Sequence, residues 1–220
     1  MRRLITPSEL LVVVLLCAGI APVAGADGIN PGPTNLMVGP GPVQIDLGSG
    51  PAPVPMQGSQ ISGQPAGTNM VMNIIAGGMP PVTIPIEIVA LSLQSVSPVM
   101  IGSSLFNVSV QAQPGPVQSG TMTLNSGGTF TSFFDVFVQI TFTPVSGGQD
   151  IIQTEILPMS LSGTWRPDAS GNITQLNGTL NCAGQTITGC QLPVTTVPEP
   201  GTLILLGSGL GALMFKRRKP

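Results

Sequence analysis

The middle of the chain alternates between apolar and polar residues with a period of two. The clearest run covers residues 134–142, in which apolar Phe134, Val136, Val138, Ile140 and Phe142 are separated by Asp135, Phe137, Gln139 and Thr141. Successive side chains of a strand point to opposite faces, so this pattern predicts a strand with one buried face. Residues 106–110 and 84–88 repeat it. After Ile88 the apolar positions change phase to Val89, Leu91 and Leu93, which predicts a β-bulge.

Further short strands are predicted at residues 70–76, 121–124, 151–161, 173–180 and 185–192. Turns rich in Gly, Pro, Asn and Asp separate them, for example at residues 77–81 and 167–171. No segment between the two ends of the chain has a helical period. The sequence therefore predicts an all-β fold, an antiparallel β-sandwich or barrel-like domain over residues 69–196.

Residues 27–68 precede this domain and contain two Gly-Pro-rich clusters, Asn-Pro-Gly-Pro at 30–33 and Gly-Pro-Gly-Pro at 39–42. Proline removes hydrogen-bond donors and glycine enlarges the unfolded ensemble, so regular structure is not expected for most of this segment. One short strand is predicted at residues 43–47. The segment reads as an extended spacer or as an edge that packs on the domain.

The N-terminal residues 1–26 have the pattern of a secretory signal peptide. Arg2 and Arg3 precede an apolar run at residues 10–20, and Ala24 and Ala26 frame a small-residue cleavage site. Two alternatives are an uncleaved N-terminal anchor and lipid attachment at Cys17. The second is disfavoured because a large residue, Leu16, precedes the cysteine.

The C-terminal residues 197–220 combine a helix breaker, an apolar stretch and a cationic end. Pro198, Glu199 and Pro200 come before the apolar residues 202–215, and the basic residues after them are Lys216, Arg217, Arg218 and Lys219. These features predict a single transmembrane helix with its C-terminus retained in the cytoplasm. As a helix, residues 202–215 would be only about 21 Å long, less than the roughly 30 Å hydrocarbon core.

A Pro-Glu-Pro motif, an apolar stretch and a basic terminus, joined to an N-terminal signal peptide, resemble the PEP-CTERM sorting signal of exopolysaccharide-producing Gram-negative bacteria. The resemblance implies that a membrane-embedded protease, an exosortase, recognises Pro198, Glu199 and Pro200 and cuts this region. It also implies transient anchoring in the inner membrane, followed by delivery to the cell envelope, the surface or the medium. The Sec export machinery is the other expected partner.

Charge is scarce in the part of the chain that would be exported. Only 7% of all residues are charged, against about 25% in an average soluble domain. Between Asp27 and Thr196 the only cation is Arg166, against seven acidic residues. A body of this charge repels a phosphate backbone, so we expect no binding to nucleic acid.

The residues available for catalysis are equally restricted. The chain has no His and no Tyr, and its lysines lie only at the C-terminus. The usual bases for serine and cysteine nucleophiles are therefore absent. A carboxylate pair of the kind used in glycoside hydrolysis remains, and its candidates are Asp135, Asp150, Glu155 and Asp168. We expect no catalysis and no cofactor.

Three further features have two readings each. Cys182 and Cys190 predict a disulfide in an exported protein, with free thiols as the alternative. A zinc site is disfavoured because it needs more ligands than two thiolates. Trp165 is expected in the core or at an edge, with sugar stacking as the alternative. The side chains of Asp168, Ser170 and Asn172 faintly resemble a calcium loop, but a Pro-Asp turn is the simpler reading.

For the function, the hypothesis is an exported, non-catalytic protein of the cell surface or extracellular matrix. Its candidate ligands are exopolysaccharide and surface proteins. The alternative is an exported carbohydrate-binding module or a carboxylate-dependent enzyme acting on a polysaccharide.

Overall fold

A computed structural model describes residues 29–46, 50–116, 118–167 and 171–197. The twelve strands in these ranges are β1 (Gly32–Val38), β2 (Gly41–Asp46), β3 (Pro51–Gly58), β4 (Met70–Ile74), β5 (Val82–Ser95), β6 (Val99–Ile101), β7 (Ser104–Ala112), β8 (Ser119–Leu124), β9 (Thr129–Pro144), β10 (Ile151–Pro167), β11 (Ile173–Ala183) and β12 (Ile187–Thr196). The described residues form no helix, and accordingly none of them belongs to a helix suited to crossing a membrane.

The strands close into an antiparallel barrel with eight positions around its wall. Single long strands, β5, β9, β10, β11 and β12, fill five positions. Each of the other three is shared by two shorter strands, β8 with β7, β4 with β3, and β1 with β2. Around the wall the order is β9, β8 and β7, β5, β4 and β3, β1 and β2, β12, β11 and β10, and the β9–β10 ladder closes the ring. The all-β prediction is confirmed, and of its two forms the barrel is the one observed.

The barrel interior is filled by the apolar side chains that alternate along each strand. In β9 the inward set includes Phe130, Phe134 and Phe142, each of which is almost completely buried. The inward hydroxyl of Ser132 donates a hydrogen bond to the carbonyl oxygen of Leu161, so this polar group is satisfied inside the core. A cavity in the interior measures only about 10 Å³ and has an apolar lining, which is close to the smallest volume that holds one water molecule.

The bulge predicted after Ile88 is present in β5. Ile88 faces Met72 across the β4–β5 ladder, but the next pair joins Ala90 to Val71, so Val89 has no partner on β4. Val89 is 56% exposed, whereas Ile88 and Leu91 are buried. The extra residue therefore changes the phase of the strand and keeps both apolar sets inside the barrel.

Residues 29–58 differ from the expectation for the Pro/Gly-rich segment. The predicted short strand is present as β2, but β1 and β3 flank it and all three belong to the barrel wall. The prolines of β3 fit because they share one edge. The carbonyl oxygen of Pro55 accepts a hydrogen bond from the N–H of Val96, on the β5 side of β3. Because backbone groups of alternate residues point to the same side of a strand, Pro51 and Pro53 face that side too. On that side β5 pairs only with residues 56–58 of β3.

The remaining strand predictions are confirmed in place, although the structure extends several of them. β9 extends beyond both ends of the predicted run 134–142, and β10 continues beyond residue 161 to Pro167. The short strand β6 was not predicted. The predicted signal peptide (residues 1–26) and the residues 198–220 with the apolar stretch lie outside the described residues.

Candidate functional site

The described part of the chain ends where the candidate sorting motif begins. Thr196 of β12 faces Leu36 of β1, and the backbone N–H of Val197 donates to the carbonyl oxygen of Asn35 at 2.9 Å. The next residue, Pro198, has no N–H to donate. The sorting motif therefore follows the barrel wall directly, without a linker.

The 75–81 loop, residues 75–81 between β4 and β5, lies at the same end of the barrel. It is attached to the start of the described chain, because Ile29 and Gly78 exchange two backbone hydrogen bonds of 2.8 and 3.1 Å. Within it, Ile75 is 49% and Met79 69% exposed. Its sequence, Ile-Ala-Gly-Gly-Met-Pro-Pro, contains no charged residue.

Glu155 has a structural environment in the barrel. One carboxylate oxygen accepts from the N–H of Thr186 at 2.8 Å and the other from the N–H of Ile187 at 3.2 Å. Thr186 is the last residue of the turn between β11 and β12, and Ile187 is the first residue of β12. The carboxylate thus occupies the place of a strand partner for two backbone groups at the end of the barrel opposite the 75–81 loop.

The other candidate acids do not form a pair with Glu155. Asp135 lies on the outward face of β9, whereas Glu155 shares the inward alternation of Leu157 on β10. Asp150 is exposed in the turn before β10, and its Cα is about 17 Å along the chain from that of Glu155. Asp168 lies outside the described residues. Neither Asp135 nor Asp150 is therefore placed to form a general-acid and nucleophile pair with Glu155.

The described residues also contain no group of three or more His, Cys, Asp or Glu side chains placed to hold a metal ion. Of the three residues that resemble a calcium loop, Asp168 and Ser170 lie outside the described part of the chain.

Cys182 and Cys190 face each other across the β11–β12 hairpin. Their Cα atoms are 5.1 Å apart and the structure joins their sulfur atoms as a disulfide. Both cysteines are buried. Their position at the end of the barrel next to the Glu155 turn gives this hairpin two separate constraints.

Trp165 is a core residue, and the expectation of a core or edge position is confirmed. It is 6% exposed, and its indole N–H donates to the carbonyl oxygen of Thr129 at 3.1 Å. A buried ring cannot stack on a sugar, so Trp165 does not supply a binding platform.

In the described part of the chain, Phe133 and Phe137 are the aromatic residues on the outer face of β9. Phe133 is 60% exposed, and Phe137, four residues further along the strand, is partly buried. Sequence analysis missed them as surface candidates, although their alternation with buried Phe134 and Val136 carried the signal. Phe133 faces Thr121 on β8 and Ser160 on β10.

Comparison with known proteins identifies one part of the chain. The family model for the PEP-CTERM protein-sorting motif matches residues 196–219. No curated protein matches the chain, and no solved structure matches it. The C-terminus therefore carries a PEP-CTERM sorting motif, which implies an exported protein that transits in a membrane-anchored form, with an exosortase as its processing partner.

Proposed function

We propose that this chain is an exported, non-catalytic protein of the cell surface or extracellular matrix, sorted by its C-terminal PEP-CTERM signal. The match of the sorting motif to residues 196–219 carries the proposal. An exosortase recognises Pro198, Glu199 and Pro200, while residues 202–215 hold the chain temporarily in the inner membrane. The four basic residues 216–219 remain on the cytoplasmic side.

The fold supports a processing step after the barrel. β12 ends at Thr196 and the last described ladder bond is made by Val197. A cut on the C-terminal side of Val197 removes no barrel strand, so the released body keeps its closed wall. Removal of the tail changes the location of the protein without changing its fold.

Three observations support a non-catalytic role for the body. Asp135 and Asp150 are placed apart from Glu155, Glu155 is engaged by backbone N–H groups, and the interior cavity of about 10 Å³ admits no organic ligand. With no His in the chain, the usual base for an activated serine is absent. Any ligand would contact the outer surface of the barrel.

Intact-mass spectrometry of protein recovered from membranes, envelope and medium tests the proposal. We expect wild-type protein outside the membrane to lack Lys216 and the residues after it. Replacing Pro198, Glu199 and Pro200 by Ala should retain the full-length chain in the membrane. The control Asp150→Ala, which leaves the tail unchanged, should be processed normally. Retention of Pro220 on all recovered wild-type protein would contradict the proposal.

A carbohydrate-binding role is the second candidate, and the exposed Phe133 favours it. An aromatic ring between hydroxyl-bearing neighbours, here Thr121 and Ser160, combines an apolar face with hydrogen-bonding groups, as sugar recognition requires. Exposed apolar groups on a folded surface commonly mark interaction sites. The double variant Phe133→Ser, Phe137→Ser should lose retention on the insoluble exopolysaccharide of the producing cell. Met100→Ser, which removes an equally exposed apolar side chain from β6, should not. Equal retention of all three proteins would exclude this candidate.

A further inference from the structure

We propose that the 75–81 loop contacts the phospholipid surface while the C-terminal segment is still in the membrane, so that the barrel stands on the bilayer by this end. The inference rests on the proposed function, because it needs residues 202–215 to be inserted. It adds an interaction surface, the lipid headgroup region, and an orientation of the body that the sorting motif does not specify.

Strand register fixes how far the barrel can be from the bilayer. The N–H of Val197 bonds to the carbonyl oxygen of Asn35, and Asn35 faces Val71 on β4, so Val197 and Val71 lie at nearly the same height on the two sides of β1. β4 then continues toward the 75–81 loop in the direction in which β12 leaves the barrel.

The chain between the barrel and the apolar segment is too short to separate them. Five residue steps join Val197 to Thr202, and fully extended they span at most about 17 Å. The same number of steps along β4 leads from Val71 to Ala76, inside the 75–81 loop. Thr202 can therefore extend little beyond the start of this loop. The headgroup layer is about 5–7 Å thick on each side of the hydrocarbon core, so the loop must reach it.

The chemistry of the loop suits that position. Met79 and Ile75 project as exposed apolar side chains, and no residue from 75 to 81 carries a charge. Apolar side chains on an uncharged loop enter the boundary between headgroups and acyl chains without burying a charge. The adjacent Pro80 and Pro81 carry no N–H donors, which lowers the cost of placing this backbone in a region poor in water.

Three of the five carboxylates that the structure describes lie at the opposite end of the barrel. Asp46 and Glu155 both adjoin Thr186 at the opposite end, and Asp150 lies in the β9–β10 turn there. Asp135 lies within β9, and Glu87 is the described carboxylate nearest this end, because it faces Asn73 two residues before the 75–81 loop. The loop itself carries no carboxylate, while Asp27 and Asp168 lie outside the described residues.

A fluorescence-quenching experiment tests the inference on the full chain in vesicles of phosphatidylethanolamine and phosphatidylglycerol. An environment-sensitive fluorophore is attached to Met79→Cys, or to Met100→Cys as the matched control, in a Cys17→Ser background. Met79 is 69% and Met100 61% exposed, at opposite ends of the barrel. A lipid with a nitroxide near its headgroup is the quencher, and the chain without an introduced cysteine gives the blank.

We expect the label at Met79 to shift to shorter wavelength and lose about half its emission to the nitroxide lipid, with no change at Met100. A third label, at Leu206→Cys, reports insertion of the apolar segment. Quenching at Leu206 without quenching at Met79, or equal quenching at Met79 and Met100, overturns the inference and leaves the sorting proposal intact. Absence of quenching at Leu206 overturns the insertion on which both depend.

Discussion

Glu155 and Thr186 are joined across the end of the barrel by a hydrogen bond of 2.8 Å from a backbone N–H to a carboxylate oxygen. The second oxygen accepts from the neighbouring N–H of Ile187. A side chain that sequence analysis considered as a catalytic acid is thus used to satisfy the backbone of a turn. Bonds of this kind, between a charged acceptor and a neutral donor, are about twice as strong as bonds between neutral groups.

We predict that Glu155→Ala lowers the free energy of unfolding by about 2–3 kcal/mol, because two N–H groups lose their acceptor. Glu155→Gln keeps one carbonyl oxygen and should lose about half as much. The matched control Asp150→Ala, at an exposed turn, should change the value by less than about 0.5 kcal/mol. Urea denaturation followed by the fluorescence of Trp165, the only tryptophan, measures all three. Equal values for Glu155→Ala and Asp150→Ala would contradict the structural role of the carboxylate.

The side chain of Asn69 takes the place of a backbone hydrogen-bond partner at the junction of β1 and β4. The amide of Asn69 accepts from the N–H of Val38 and donates to the carbonyl oxygen of the same residue. Asn69 is 4% exposed. Gly58 allows this approach, since a Cβ at that position would overlap the Asn69 amide.

We predict that Asn69→Ala costs about 3 kcal/mol of unfolding free energy, because it leaves a buried N–H and C=O without partners. Asn69→Asp should cost at least as much, since its carboxylate would face the carbonyl oxygen of Val38. Asn107→Ala, at an exposed position on β7, serves as the control and should be close to neutral. Thermal unfolding followed by circular dichroism provides the comparison. A melting temperature for Asn69→Ala within error of that for Asn107→Ala would refute the bridging role.

The parts of the fold that sequence analysis predicted depend on local patterns. The alternation of residues 134–142 depends on neighbours two positions apart, and the phase change at Val89 is visible because it disturbs that local period. The expected core or edge position of Trp165 rested on composition instead, because a single Trp in a chain without Tyr is a poor basis for a stacking platform.

The missed parts depend on pairings between distant segments. The Pro-rich residues 51–58 form a strand because β2 lies on the one side where Val54 and Met56 provide donors. That side cannot be known before the barrel is closed. The role of Glu155 likewise needs the β11–β12 turn, about thirty residues away, to be placed beside β10. The exposed Phe133 was readable in principle, but only its buried neighbours were interpreted.

The disulfide between Cys182 and Cys190 gives a prediction that links export to stability. Closing a loop of this length contributes about 2.5 kcal/mol on the loop-entropy estimate. Protein from the cell envelope should therefore unfold at a lower urea concentration after reduction with a phosphine, and its mass should rise by two hydrogens. The variant Cys182→Ser, Cys190→Ser should match the reduced protein and be insensitive to the reductant. An unchanged mass after reduction would show that the thiols are free in the exported protein.

The last prediction concerns Gly163 and Gly178, which face each other on β10 and β11. A Cβ on Gly163 would overlap the backbone at Asn177, and one on Gly178 would overlap the carbonyl oxygen of Ser162 and approach the ring of Phe130 at 3.3 Å. The two strands therefore approach each other here more closely than a side chain permits, with the Phe130 ring next to Gly178.

We predict that Gly178→Ala lowers the free energy of unfolding by about 1–3 kcal/mol through overpacking. Gly127→Ala is the matched control, because a Cβ there meets no atom within 4 Å, and it should have little effect. Adding Phe130→Leu to Gly178→Ala should recover only the part of the loss that comes from the ring, since the overlap with Ser162 remains. A double-mutant cycle in urea measures that coupling. Additive losses would mean that Phe130 and Gly178 do not share the same space in the core.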